Sequence, residues 1–279
     1  KLLTILFFSF YSIFAQTNVQ ETQIIDGVVH KRIVNQSDTL VINILKVDIK
    51  RPDLTIRAVK ANELLGTKET TSQMFERYRL SGFDVIAAIN ADFFEADGEV
   101  VSNMISNGEI VKAVKFSDSP FNELTNSQLA VDNNDNLFID QFVYSGNLIL
   151  PNGISEEINR VNSKPDSNSI VLYNRFQGKI TPDLPKDWFV VDFVMFPLSS
   201  TGDTLIYLTN GKTTFRNFEV PKDGLVLSAN NKYGHYLDRE IQVGDTIKIV
   251  NEFSPKIRNL KSLVGGWPVL VKDGQNMIR

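Results

Sequence analysis

Apolar and polar residues alternate at a period of two along much of this chain. Residues 39–50, TLVINILKVDIK, are apolar-rich and alternate in their second half, and so do the residues around LTIRAVKA at 54–61. Successive side chains of a strand point to opposite faces, so this spacing predicts strands. Residues 69–80, ETTSQMFERYRL, have helical spacing instead. Met74, Phe75 and Tyr78 fall on one face, Thr70 or Thr71 can cap the first turn, and Gly82 can close the last. That helix leads into a predicted strand at 84–89. Further on, NGEIVKAV, LAVDNNDNLFID, SIVLYNRF, WFVVDFVMF, TLIYLTNG, DGLVLSAN and DTIKIVNEF are short β-rich runs separated by Gly, Asn, Asp and Pro. Asn107-Gly108, Asn210-Gly211 and Asp223-Gly224 are dipeptides of the hairpin type. Residues 152–168 are polar and predict a surface excursion. No repeat of fixed period interrupts the pattern. The fold class these runs predict is α+β: β-rich mixed sheets with few helices in a single large domain.

Composition narrows the chemistry. The 279 residues are 42% hydrophobic, enough to bury a sizeable core. A net charge of -4 leaves no basic field to attract phosphate backbones, so nucleic acid is not an expected partner. The absence of cysteine removes thiol nucleophiles, thiolate zinc sites and disulfides together. His30 and His235 are the only histidines, and neither sits beside a G-x-S-x-G signature. Acid–base chemistry therefore falls to carboxylates. Residues 1–15, KLLTILFFSFYSIFA, run from a Lys through an apolar stretch to the small Ala15, like a secretory signal peptide removed on export. The run is short for a bilayer span, and no later segment looks transmembrane. A periplasmic or secreted protein is expected, with no stable membrane insertion.

Two stretches break the strand pattern. AAINADFF, residues 87–94, begins as an apolar strand and then places Asn90 and Asp92 before two aromatics. A buried carboxylate must be paired, hydrogen-bonded or protonated. These two residues either tie loop backbone together or form a site at a strand end. SLVGGWPVL, residues 262–270, interrupts a β-type run with Gly265-Gly266. Paired glycines permit close backbone approach to a ligand and can offer N–H groups to an anion, although a bulge is the plainer reading. Asp92, Glu95, Asp97 and Glu99 crowd one loop, but the calcium-loop spacing fails there because Phe93 falls at a ligand position. DNNDN at 132–136 fails too, with Leu137 in place of the turn glycine and Val143 in place of the closing glutamate. It reads as a hairpin turn. Neither a metal nor a cofactor is expected.

Taken in order along the chain, these stretches resemble the phosphodiester glycosidase family, the family of the lysosomal uncovering enzyme and of many secreted bacterial proteins. AAINADFF resembles its Asn-x-x-Phe-Phe strand end. SNMISNGEIVKA and LAVDNNDNLFI resemble the two hairpins that follow. INRVNSKPDSNSIVLYNRF is similar to its Asn-Arg segment, and LSANNKYGHYL, VGDTIKI and LVGGWPVLVKDG to its later β segments and Gly-Gly-x-Pro motif. The match spans roughly residues 40 to 274. It implies a signal peptide at 1–15, an N-terminal extension at 16–39 and the glycosidase-like domain at 40–279. It also implies hydrolysis of a glycosyl phosphodiester, with a carbohydrate or sugar phosphate as substrate. Asp92 would be the catalytic carboxylate and Asn90 its neighbour orienting a hydroxyl. Asn159, Arg160, Gly265 and Gly266 would bind substrate. The family's later Arg-Thr pair and Asp-Gly-Gly-Gly-Ser loop have no counterpart before Arg279, so the resemblance implies a domain incomplete at its C-terminus and inactive by itself. The alternative is a non-catalytic secreted β-protein that binds carbohydrate on aromatic platforms, with Trp188, Trp267 and Tyr233 as candidates.

Overall fold

A computed structural model of the chain describes residues 17–37, 39–115 and 127–277. The expected signal peptide at 1–15 lies outside the described residues. The chain divides into two compact units, residues 1–55 and 56–279.

The first unit is a three-stranded antiparallel sheet of β1 (Thr17–Ile25), β2 (Val28–Asn35) and β3 (Leu40–Val47), in the order β1-β2-β3. Arg51 ties its end together, forming ion pairs with Asp26 and Asp53. Strand formation at 39–50 was expected, but with β3 in the domain starting at residue 40. Instead β3 pairs with β2 along its whole length, from Val28↔Val47 to Asn35↔Leu40.

The second unit is built on one sheet of thirteen strands. In chain order these are β4 (Met104–Ser106), β5 (Glu109–Val114), β6 (Gln128–Asp132), β7 (Leu137–Asp140), β8 (Val143–Ile149), β9 (Ser155–Ile158), β10 (Arg160–Val161), β11 (Ile170–Tyr173), β12 (Val190–Thr201), β13 (Thr204–Thr213), β14 (Leu225–Asn230), β15 (Thr246–Ser254) and β16 (Leu260–Gly265). They lie in the order β7-β6-β16-β4-β5-β10-β11-β14-β12-β13-β15-β8-β9. The sheet is mixed because β10 and β11 run parallel while the other neighbours are antiparallel. A separate hairpin, β17 (Val271–Lys272) with β18 (Gln275–Asn276), follows. The protein is strand-rich, as the alternation predicted, with two α-helices among the described residues.

Period-two patterning sorts the central strands into two buried faces. Ile170 and Leu172 of β11, Leu227 and Ala229 of β14, and Val191 and Phe193 of β12 share the main core. Leu237 and Ile241, in and just after the helix α2 (Asn231–Glu240), close over that core. The alternate residues Val171, Tyr173 and Val226 form a second cluster with Val220. The other helix, α1 (Thr71–Leu80), begins where the sequence indicated. Thr70 is the N-cap, and its hydroxyl accepts from the Gln73 N–H at 3.2 Å while Gln73 Oε1 accepts from the Thr70 N–H at 2.9 Å.

Four local expectations need correction. Residues 84–89 and 54–60 enter no strand ladder. Their apolar composition resembles that of a strand, but no neighbouring backbone pairs with them. Asn210-Gly211 is no hairpin: it lies inside β13, where the register against β12 slips between Val194 and Met195. LSANNKYGHYL, likened to a β segment, is strand only to Asn230, and its residues 231–237 belong to α2. Asn107-Gly108 is a true two-residue hairpin turn, with φ of 52° and 79°, joining β4 to β5. DNNDN also turns a hairpin, and the Asp132 carboxylate accepts from the N–H groups of Asn134 and Asn136 at 2.8 and 2.9 Å.

Candidate functional site

The chain comes off α1, runs through residues 84–91 without entering a strand, and turns at Asp92. There φ is 61°, a left-handed conformation that Asp tolerates better than most residues. The Asp92 N–H donates to the Gly265 carbonyl at 2.9 Å, so AAINADFF and SLVGGWPVL meet although they are far apart in sequence. The Asp92 carboxylate accepts from the Phe93 N–H at 2.7 Å and from the Ser102 N–H at 3.2 Å. Gly265 passes so close that a Cβ there would lie 2.2 Å from Asp92 Oδ1 and 2.6 Å from Ser102 Oγ. The glycine is therefore required by close approach, and a plain bulge does not account for it. Ser102 Oγ is buried beside the carboxylate.

Burial pushes the Asp92 carboxyl above the usual range, against the opposing pull of the Phe93 and Ser102 hydrogen bonds and the Lys112 charge. Lys112, on β5, is fully buried; its Nζ binds Glu99 at 2.8 Å and the Val100 carbonyl at 2.7 Å. The site is thus a half-buried carboxyl whose affinity for a proton is raised, set between a glycine backbone, a buried hydroxyl and a buried ammonium.

The other expected site residues are placed as follows. Asn90 is exposed, and its side-chain oxygen accepts from the Thr71 hydroxyl at the start of α1. The Gly266 N–H donates to the Ser127 carbonyl at 2.8 Å, so it is already occupied. Asn159 brackets Ile170, donating from its N–H to the Ile170 carbonyl and accepting the Ile170 N–H on its side chain, both at 2.8 Å. Arg160 pairs with Asp166 at 2.8 Å. Its strand, β10, is separated from β16 by β4 and β5, and neither Asn159 nor Arg160 is among the groups that bond Asp92. The structure thus brings Asp92 and Gly265 together and leaves the Asn-Arg pair on a different part of the sheet.

The acidic loop is held by its own contacts. Glu99 pairs with Lys112, and Asp97 accepts from the Glu99 N–H at 2.9 Å. Among the described residues, no group of three or more His, Asp or Glu is arranged to hold a metal ion. Of the aromatic candidates, Trp267 is exposed, Tyr233 packs partly buried against the core, and Trp188 is half-buried. His235 stacks on Phe189 at 4.0 Å between ring centres. Ser102 and Lys112 escaped the sequence reading. Their signals are a Ser-Asn pair inside the apolar run VVSNMI and a lysine in the middle of the strand EIVKAV.

No protein-family model matches the chain, and no curated protein matches it. Solved structures do. A hypothetical protein from Synechocystis superposes with a TM-score of 0.67 at 15% identity, over 94% of this chain and 46% of that one. A "Putative exported protein" from Burkholderia pseudomallei K96243 superposes with a TM-score of 0.61 at 15% identity, over 87% of this chain and 51% of that one. These likenesses show a shared fold. The chain spans about half the length of the solved structures it matches.

Proposed function

We propose that the Asp92–Gly265 site belongs to a secreted hydrolase that cleaves a glycosyl phosphodiester at the anomeric carbon. The observation that carries this reading is the pairing of a half-buried carboxyl of raised proton affinity with a close-approaching glycine backbone. The resemblance of AAINADFF and LVGGWPVL to the phosphodiester glycosidases supplies the reaction class. Water attacks the anomeric carbon, the carbon–oxygen bond to phosphate breaks, and a phosphate monoester departs with the electron pair. Asp92 takes the proton from water, a role that raised basicity favours. Asn90, held by Thr71, orients a sugar hydroxyl. Lys112, the buried cation acting on Asp92, is engaged by Glu99 and the Val100 carbonyl, so charge on the leaving phosphate falls to other groups. Export fits the apolar leader and the description given to the Burkholderia protein.

The test is release of phosphosugar from a panel of sugar-phosphate diesters by the protein at its natural length. Asp92→Asn is expected to lower turnover on the order of 10²–10⁴-fold with a much smaller change in melting temperature. Equal losses of activity and stability would return Asp92 to a role in loop structure. Exposed Trp267, beside Gly266, favours the second reading of a carbohydrate-binding protein. Tight glycan binding without turnover, abolished by Trp267→Ala, would decide for it.

A further inference from the structure

Asp192 interrupts the apolar strand β12 and lies on the opposite sheet face from the main core. The register explains its company. Asp192 stands opposite Ser228 of β14, which stands opposite Val171 of β11, and Tyr173 lies two residues further along that same face. Segments around Thr181 and Val220 cover this face, joined by the Ile180–Glu219 bridge and by the Val220 N–H bonded to the Lys179 carbonyl at 2.9 Å. Arg216 pins the cover, donating to the Leu184 and Trp188 carbonyls at 2.6 Å each. Beneath it Asp192, Tyr173, Thr181, Ser228 and Arg216 line a small cavity of about 10 Å3.

Two polar atoms in this enclosure lack protein partners. Asp192 Oδ1 and the Tyr173 hydroxyl are both buried without a hydrogen bond, although Asp192 is 1% and Tyr173 0% exposed. The Thr181 hydroxyl bonds the other carboxylate oxygen at 3.4 Å, and the Ser228 side chain also stabilises the carboxylate. Buried groups of this kind cost about 1–3 kcal/mol each when left unsatisfied. A phenol and a carboxylate can satisfy one another directly, but here they do not. They need a molecule that donates to one and accepts from the other.

We propose that this cavity is a binding site for a single water molecule, which donates to Asp192 Oδ1 and accepts from the Tyr173 hydroxyl. The size fits, because one enclosed water needs about 10–15 Å3 and at least two polar partners. The charge fits as well. Arg216 lines the same cavity and disfavours a metal cation, while the carboxylate disfavours an anion. The water joins β11 to β12 across β14 and makes the second buried face of the sheet a satisfied polar network. The site is separate from Asp92 and does not depend on the reaction proposed there.

The experiment is a crystal structure of the protein at high resolution, grown with and without rubidium. The expected result is one ordered peak within about 2.6–3.2 Å of both Asp192 Oδ1 and the Tyr173 oxygen, with no rubidium anomalous signal. Tyr173→Phe should remove one partner and lower the peak's occupancy while the fold persists; should that variant fail to fold, the wild-type map decides alone. A direct Asp192–Tyr173 hydrogen bond, a cavity without density, or a rubidium signal would each overturn the proposal.

Discussion

Gly265 and Gly266 are adjacent and identical, yet their surroundings assign them different tasks. A Cβ at Gly265 would strike the Asp92 carboxylate at 2.2 Å, whereas one at Gly266 would meet nothing nearer than the Ser127 carbonyl at 3.9 Å. Gly265→Ala should therefore cost about 1–3 kcal/mol by forcing the site apart, and Gly266→Ala should cost much less, as urea denaturation of the two variants would show. Equal effects would mean that the loop moves away freely. Asp192 supplies the second prediction at this scale. Burial pushes the Asp192 carboxyl up to about 6, from the 3.8 that is ordinary for an aspartate. Between those values the folded chain holds a proton that the unfolded chain has released, so stability falls as pH rises through this window. A shift of that size corresponds to about 3 kcal/mol at most. Asp192→Asn should flatten this part of the stability–pH curve measured between pH 3.5 and 7.5; an unchanged slope would mean that the carboxyl is solvated in the fold. Asn90 and Asp92 stood out in the sequence because polar groups ending an apolar run need a reason. Asp192 was equally visible in WFVVDFVMF, but only strand register shows that its face of the sheet is covered.

Elements were legible where local chemistry fixes them. Helix α1 was readable because its cap, its apolar spacing and its closing glycine agree. Thr70→Ala should remove the capping hydroxyl and cost about 1 kcal/mol, with Thr70→Ser restoring most of it; circular dichroism during denaturation reads both. Loss of the cap should also loosen Thr71 and with it Asn90, so a matched loss in the Ser variant would place the effect outside the cap. Helix α2 was hidden for a packing reason. Gly234 sits in its middle, where helix propensity is poor, and a Cβ there would lie 3.0 Å from both the Ala229 carbonyl and the Phe189 ring. Tertiary contact, absent from local pattern, selected the glycine and stabilised the helix. The reverse error occurred at 84–89. A strand is defined by its partner, and composition cannot supply one.

At the scale of the molecule, the alternation of short β runs was enough to predict a strand-rich fold but not the order of thirteen strands, which depends on pairings such as β16 between β6 and β4. Nor did it reveal that β3 belongs with β1 and β2. The same long-range logic governs the surface around the candidate site. Residues 84–91 form no backbone–backbone hydrogen bond among the described residues. Leu80, Ile89, Phe93 and Phe94 are exposed, and so are Trp267, Leu270 and Val271 from the segment that Asp92 anchors through Gly265. Ile89 is 75% exposed on backbone that enters no ladder, and Phe94 is 64% exposed just past the turn at Asp92, a combination that natural proteins usually cover. The 279-residue chain should accordingly brighten a hydrophobic dye and self-associate at micromolar concentration. Ile89→Lys with Phe94→Lys should suppress both without lowering the melting temperature, because neither side chain belongs to the buried clusters. Sedimentation and dye fluorescence on the two proteins test this. A monomeric, dye-dark wild type would show that these apolar groups are covered in solution and that the exposed rim is not a property of the chain.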